Sequence, residues 1–237
     1  MKKLLKKLIL YTLIIAISVG GVVVYFGHKE YKEVIQTVPL NVAIDEIRQR
    51  EDYVPLSEMN PIAPQAMVAT EDDRLFERHA VLDFWAIGRA TWRNITSFRL
   101  VEGGSTIPQQ VAKNIYFDHS ASFVRKISEY FVTRDLLNQY TKEEILELYL
   151  NIIYYGDGFY GIYQASEGYF NVFPNELNDG QATLLMGLPQ APSYYALSTN
   201  LEGAKKRQKH VLARMVEEKQ LTRERADEIY EIDIEYK

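Results

Sequence analysis

The chain has 237 residues and no cysteine, so disulfide frameworks, thiolate metal sites and cysteine nucleophiles are excluded. With 47% apolar and 25% charged residues, the composition is typical of one folded domain and excludes a disordered or fibrous chain. The formal net charge of −5 and the lack of a long basic run argue against nucleic-acid binding, which needs a positive field.

An uncharged apolar stretch, residues 8–26, follows four lysines at the start of the chain. At about 1.5 Å per residue, a helix of this length covers the hydrocarbon thickness of a bilayer. A cleaved signal peptide has a shorter apolar core, of about 7 to 15 residues, and a small-residue cleavage site. We therefore expect an uncleaved transmembrane anchor at 8–27 and a cytoplasmic tail at 1–7, because lysines favour the cytoplasmic side. The alternative is a buried core helix.

The remaining chain is predicted to be mainly α. Residues 28–52 are polar and mixed, and we interpret them as a stalk that leads to one extracytoplasmic domain at 53–237. Thr141 and Glu144 form a capping-box pattern before apolar residues at helical spacing. A second helical pattern runs from Ala204 to Lys219, and no βαβ signature is present.

Three acidic residues, Glu71, Asp72 and Asp73, stand together near apolar and aromatic residues. A carboxylate next to other carboxylates and apolar groups can have a raised proton affinity, which suits a general base. The alternative is a solvated first turn at the start of a helix, where the helix dipole favours acidic residues.

A glycine pair precedes a predicted helix N-terminus in EGGSTIPQQVAKN, residues 102–114. Ser105 or Thr106 can cap this helix, and Pro108 fits its first turn. Free amides at such an end can hold a phosphate or a sugar, although an ordinary capped helix has the same pattern. The polar residues placed around it are Ser105, Thr106, Gln109, Gln110, Lys113 and Asn114.

Two cations and a carboxylate share one helical face farther along the chain. Arg125 and Lys126 precede Glu129 by four and three residues. They are either surface ion pairs of small energy or a site for a pyrophosphate or a metal-bridged phosphate.

Five sequence blocks in this order resemble the peptidoglycan glycosyltransferases of family 51. They are E-D…F-x-x-H, GGST-x-x-QQ-x-x-KN, RK-x-x-E, ILELYLN followed by YYGDGFYGI, and LLMGLPQAPSYY, and they extend from Glu71 to Tyr195. Because the chain ends soon afterwards, it resembles the monofunctional members, which lack a penicillin-binding transpeptidase domain. The resemblance implies a lysozyme-like helical domain on a membrane anchor.

The resemblance also implies an activity: polymerisation of lipid II into β-1,4-linked glycan strands, with release of polyprenyl pyrophosphate. Glu71 matches the base, and Glu129 matches a glutamate that assists near the pyrophosphate, directly or through Mg²⁺ or Mn²⁺. Other implied partners are the growing glycan strand, the membrane, and proteins of cell-wall synthesis or division. The residues that match the leaving-group site are Lys113, Arg125 and Lys126. Those that match the loop lining the sugar and phosphate site are Ser105, Thr106, Gln109, Gln110 and Asn114. Moenomycin-type phosphoglycolipids, but not β-lactams, are expected to inhibit it.

One departure concerns the first block. The family pattern has four positions from Glu to Phe, but Phe76 follows Glu71 by five, and Val81 stands where Gly is expected. Counted from Asp72, Phe76 and His79 lie at the positions that the family pattern gives to Phe and His. We prefer Glu71 as the base, because a loop can absorb one insertion, and keep Asp72 as the alternative.

Two other functions stay open. A lysozyme-like lytic enzyme would share the architecture, but glycoside hydrolysis usually needs a second carboxylate. A catalytically silent domain that acts as a cell-wall scaffold would fit the altered first block. The remaining conspicuous residues are interpreted as structural: Tyr149, Asn151, His79, and the core or bilayer-contacting residues Phe84, Trp85, Ile87, Trp92, Ile95 and Phe98.

Overall fold

The computed structural model describes residues 2–78, 80–83, 85, 88–89, 92, 96, 104–118 and 122–236, and these are mainly α-helical. The predicted fold class is confirmed. The named helices are α1 (Lys2–Thr37), α2 (Leu40–Arg48), α3 (Ile62–Glu71), α4 (Ile107–Tyr116), α5 (Phe123–Gln139), α6 (Lys142–Ile152), α7 (Gly161–Phe170), α8 (Asp179–Leu185), α9 (Pro192–Tyr195), α10 (Leu197–Glu217) and α11 (Arg223–Tyr230).

Helix α1 is a single 36-residue helix, long and apolar enough to cross a membrane. Its apolar window is not buried against the rest of the chain. The end of α1 packs along α5, where Ser128 Oγ lies 2.7 Å from the carbonyl oxygen of Gly27. A Cβ at position 27 would lie 2.5 Å from Ile127 Cβ, so only glycine permits this approach. The candidate membrane helix is therefore fitted directly against α5.

The segment 28–52, predicted as a stalk, is helical over most of its length. Tyr31 on α1 is buried, and its hydroxyl donates to Asp135 on α5. Leu40 and Ile44 on α2 belong to the main core. This segment thus contributes apolar side chains to the domain.

Helix α6 lies at the centre of the core. Leu148, Tyr149 and Leu150 are fully buried although they point in successive directions around the helix, which is typical of a helix surrounded by others. The predicted capping box at its start is confirmed: Thr141 Oγ1 accepts from the Glu144 amide, and Glu144 Oε2 accepts from the Thr141 amide. The helix predicted from Ala204 is confirmed as part of α10.

Asn151 anchors the end of α6 as predicted for a structural residue. Its side-chain amide exchanges two hydrogen bonds of 2.8 Å with the backbone of Val54. Its carbonyl oxygen lies against Gly161, where φ is +81° and a Cβ would be 2.5 Å away. A side chain at position 161 would therefore separate α6 from α7.

The two tryptophans differ from the core interpretation, because Trp85 is 78% exposed and Trp92 is 70% exposed. Exposed indole rings on a chain with a candidate membrane helix favour the alternative, contact with the bilayer interface. The predictions for His79, Phe84, Ile87, Ile95 and Phe98 lie outside the described residues.

Candidate active site

A cleft of about 520 Å³ lies where the end of α3, the beginning of α4, the beginning of α5 and one face of α10 meet. Its lining is strongly polar, and Glu129 lies buried next to it. Most of the predicted site residues therefore converge, although they come from three separated sequence blocks. Those that line the cleft are Glu71, Ser105, Thr106, Gln109, Gln110, Lys113, Arg125 and Lys126.

Glu71 is the last residue of α3, and its side chain is 15% exposed at the cleft wall. Gln110 Nε2 donates to Glu71 Oε2 over 3.1 Å. The nearest cation is Arg207, whose Nη2 lies 3.7 Å from Oε1, beyond hydrogen-bond range. Within the described part of the chain, Oε1 accepts no hydrogen bond and has room for a substrate proton donor.

Asp72, the alternative base, has a different environment. It is 6% exposed, and Arg78 binds its two oxygens over 2.6 and 2.9 Å. Oδ2 also accepts the backbone amide of Ile107 at the start of α4, over 3.0 Å. Both oxygens of Asp72 are thus engaged by donors of the protein, whereas Glu71 keeps one oxygen for a substrate hydroxyl. This geometry favours Glu71 over Asp72.

The structure also clarifies the register of the first block. Four residues after Glu71, where the family pattern has Phe, Leu75 is fully buried, whereas Phe76 is 47% exposed. Seven residues after Glu71, where the pattern has His, Arg78 pairs with Asp72 and Asp83. The family spacing from Glu71 can therefore be kept as far as Arg78, with Leu and Arg in place of Phe and His. The extra residue then lies between Arg78 and Val81, because Val81 follows Glu71 by ten positions.

Asp73, the third acid, is also ion-paired. Arg214 Nη2 lies 2.8 Å from Asp73 Oδ2, and Arg89 Nη1 lies 3.6 Å from the same oxygen. Arg214 also donates from Nε to the carbonyl of Ala69 on α3. The pair therefore fastens α10 to the end of α3, next to Glu71.

Glu129 forms the centre of a cationic cluster. It is 1% exposed, with Arg125 Nη1 at 2.6 Å from Oε1 and Lys126 Nζ at 2.7 Å from Oε2. Ser105 Oγ accepts from Lys126 over 3.1 Å, which joins the loop before α4 to the cluster. The predicted common face of these three charged residues is confirmed.

Lys113 on α4 adds a third cation to this cluster. Burial lowers the pKa of Lys113 from its ordinary value, and the neighbouring Arg125 and Lys126 lower it further, while Glu129 opposes them. Among the described residues, the ammonium group of Lys113 makes neither a hydrogen bond nor an ion pair. With three cations and one carboxylate, the cluster has a net positive charge that an anionic ligand can neutralise.

Helix α4 begins as predicted, with Thr106 at its N-cap. Gln109 Oε1 accepts the Thr106 amide over 3.0 Å, so Gln109 completes the cap from within the cleft wall. Asn114 is not brought into this cleft: its side chain donates to the carbonyl of Gln110 and borders a second cavity, next to α2.

Arg207 is a site residue that the sequence interpretation missed. Its side chain is 9% exposed, and Nε donates to the carbonyl of Gly187 over 3.3 Å. Burial lowers the pKa of Arg207, with the charge of Glu71 acting against this. The sequence does contain one sign of its role: Arg207 lies four residues before Val211, so it shares a face of α10 with apolar residues, where a cation is unexpected.

The donor set at Glu129 does not fit a resident metal ion. Both of its oxygens face cations within 2.7 Å, so a divalent cation would have to displace Arg125 or Lys126. Among the described residues, no group of three His, Asp or Glu side chains could hold a metal ion.

A family model and several known proteins match most of this chain. The Transglycosylase family model matches residues 40–216. Penicillin-binding protein 2D of Bacillus subtilis (strain 168) is 39% identical over 188 residues, 79% of this chain and 27% of that protein. Penicillin-binding protein 1A of Neisseria gonorrhoeae is 38% identical over 188 residues, 79% of this chain and 23% of that protein.

The chain thus spans about a quarter of the length of these relatives. A crystal structure of penicillin-binding protein 1A from Haemophilus influenzae is similar over 55% of this chain and 16% of that chain, at 29% identity and a TM-score of 0.39. The family model, by contrast, covers α2 to most of α10, and with it every side chain described at the cleft. The chain therefore belongs to the transglycosylase family, glycosyltransferase family 51.

Proposed function

We propose that this protein is a peptidoglycan glycosyltransferase that polymerises lipid II into β-1,4-linked glycan strands. The observation that carries the proposal is a cleft with a carboxylate oxygen available at one wall and a net-positive cluster at another, in a chain of this family. The donor in this reaction is a muramic acid whose anomeric carbon bears a polyprenyl pyrophosphate. The acceptor is the 4-hydroxyl of an N-acetylglucosamine.

In the proposed mechanism, Glu71 Oε1 takes the proton of the acceptor 4-hydroxyl. The acceptor oxygen attacks the anomeric carbon of the donor from the face opposite the pyrophosphate, forming the new C–O bond. The C–O bond to the pyrophosphate breaks, its electron pair leaves with the phosphate oxygen, and the α configuration becomes β. One base suffices because the leaving group is already a stable anion and needs charge stabilisation more than a proton.

The cationic cluster would supply that stabilisation. Lys113 has no competing partner among the described residues, and Lys126 is partly exposed at the cleft. Glu129 is too enclosed by cations to act as a base and instead holds Arg125 and Lys126 in place. Participation of Mg²⁺ or Mn²⁺ stays a prediction, for an ion that would arrive with the pyrophosphate.

The proposal places the domain outside the cytoplasmic membrane, where the product is used. Helix α1 would cross the bilayer once, with the lysines at its start on the cytoplasmic side. The exposed Trp85 and Trp92 would meet the interface that holds a lipid-linked substrate. Proteins of cell-wall synthesis or division stay predicted partners.

Two alternatives are less well supported. A lytic enzyme would usually need a second carboxylate, but Asp72 and Asp73 are both paired with arginines. A catalytically silent scaffold was motivated by the altered first block, yet the spacing from Glu71 to the buried Leu75 is normal, and Glu71 keeps an open oxygen.

Formation of glycan strands from purified lipid II by the detergent-solubilised full-length protein tests the proposal. Glu71→Gln is expected to lower kcat by about a thousandfold, the range of general-base catalysis, while lipid II affinity and Tm change little. Glu202→Gln, in an exposed pair with Lys206 on α10, is the matched control and should keep full activity. A folded wild type that binds lipid II without making polymer would support the scaffold instead.

A further inference from the structure

A chain of hydrogen bonds connects the core of the protein to Glu71. The Tyr149 hydroxyl lies 3.0 Å from Gln110 Oε1, and Gln110 Nε2 lies 3.1 Å from Glu71 Oε2. Tyr149 is on α6, Gln110 is on α4 and Glu71 ends α3, so the chain joins three helices. Sequence alone assigned Tyr149 to the core and Gln110 to the substrate.

The direction of these hydrogen bonds follows from the chemistry of their ends. An ionised Glu71 can only accept, so the NH₂ of Gln110 must face it, which turns the amide oxygen toward Tyr149. Tyr149 is fully buried, and this burial, together with the charges of Glu71 and Asp72, raises its pKa well above the ordinary value. Tyr149 therefore stays protonated and donates to Gln110.

Gln110 and Tyr149 both lie on well-packed helices. The backbone N–H of Gln110 donates to the Thr106 carbonyl over 2.9 Å, in the first turn of α4. Tyr149 has no exposed surface and lies within the main core. Without the hydroxyl of Tyr149, Gln110 Oε1 would lose its hydrogen-bond donor, and the side chain of Gln110 would be held less firmly against Glu71 Oε2.

We propose that Tyr149 is a positioning residue which, through Gln110, fixes Glu71 Oε2 and thereby presents Oε1 to the acceptor hydroxyl. This inference rests on the proposed function of Glu71 as the base. Tyr149 itself touches neither the substrate nor the reacting atoms. Gln110 would then act mainly on the base, in addition to any contact with a sugar.

A double-mutant cycle tests the coupling. Tyr149→Phe should lower kcat about tenfold, and Gln110→Ala somewhat more, with lipid II affinity within about twofold of the wild type. Because Tyr149 acts through Gln110, the double variant should be no slower than Gln110→Ala alone. Tyr155→Phe is the matched control. Tyr155 is equally buried, but its hydroxyl donates to the Leu150 carbonyl over 3.4 Å and not to Gln110, so this variant should retain full kcat.

Two kinetic results would overturn the inference. One is a double variant whose kcat falls by the product of the two single decreases, as expected if Tyr149→Phe causes an independent packing defect. The other is a loss of lipid II affinity in Gln110→Ala with unchanged kcat, which would make Gln110 a substrate ligand only.

A spectroscopic measurement separates this inference from the proposed function, because it needs no turnover. The side-chain ¹⁵N amide resonance of Gln110 in the full-length protein, assigned by its loss in Gln110→Ala, should move in both Glu71→Gln and Tyr149→Phe but not in Tyr155→Phe. A resonance unchanged by both substitutions would refute the hydrogen-bond chain, even if the enzyme is active. If both substitutions shift the Gln110 resonance but the wild type makes no polymer, the proposed function is refuted and the hydrogen-bond chain is not.

Discussion

Two glutamates stand at the same cleft in opposite environments. Glu71 receives one hydrogen bond from a neutral amide and has its nearest cation 3.7 Å away. Glu129 is almost fully buried, with a cation within 2.7 Å of each oxygen. A substrate hydroxyl can reach an open carboxylate oxygen, whereas both oxygens of Glu129 are enclosed by cations. The comparison therefore supports the proposed roles, with Glu71 as the base and Glu129 as the residue that organises the cationic cluster.

Replacing each glutamate by glutamine should have different effects: at Glu71 mainly on catalysis, and at Glu129 on stability as well. Glu129→Gln leaves Arg125 buried without its anion, and we expect the free energy of unfolding to fall by about 3 kcal/mol. Activity should fall too, because Arg125 and Lys126 then repel each other. Thermal denaturation of full-length wild type, Glu129→Gln and Glu71→Gln measures this difference as Tm. Equal Tm values for the two variants would contradict the assignment.

The pattern of the sequence was sufficient for the local part of this site. Arg125, Lys126 and Glu129 lie within two turns of one helix, so helical periodicity alone predicted their common face. The capping box of α6 and the start of α4 after the glycine pair follow from equally short-range rules. These features depend on residues a few positions apart.

The part that could not be predicted depends on packing between distant segments. Asp73 meets Arg214 across 141 positions, and no periodicity relates such residues. The partners of Asp72 favour one of the two candidate bases, yet Arg78 is one of the two unspecified residues between Phe76 and His79 in the first block. Asn114 was assigned to the cleft because it belongs to the QQ block, but the helical rotation after Lys113 directs it elsewhere.

Asp72→Asn sharpens the comparison between neighbouring acids. The amide cannot serve Arg78 and Ile107 as the carboxylate does, so we expect the free energy of unfolding to fall by about 2 kcal/mol. The folded fraction should keep kcat within about tenfold, because Asp72 takes no proton in the reaction. Kinetics normalised to folded protein, together with Tm, test this. Loss of activity as complete as in Glu71→Gln would move the base to Asp72.

The smallest expected effect on stability has the opposite sign. The pKa of Lys113 is lowered by burial and by Arg125 and Lys126, so the charged lysine costs stability in the folded state. Lys113→Met removes this cost and should raise Tm near neutral pH by about 2 °C. It should also lower kcat/KM for lipid II at least about tenfold, because a cation that would face the pyrophosphate is lost.

The pH dependence of this stabilisation follows from the direction of the shift. The cost of charged Lys113 is fully present below its folded pKa, and it disappears as the pH rises through that value toward 10.5, the ordinary pKa. The Tm difference between Lys113→Met and the wild type should therefore shrink as the pH is raised. Lys206→Met, in the exposed pair with Glu202, is the control. Glu202 raises the pKa of Lys206, so this substitution should lower Tm slightly instead of raising it. A Tm of Lys113→Met below that of the wild type near neutral pH would mean that charged Lys113 stabilises the fold. The cluster would then be a structural ion network with no unsatisfied charge to offer a leaving group.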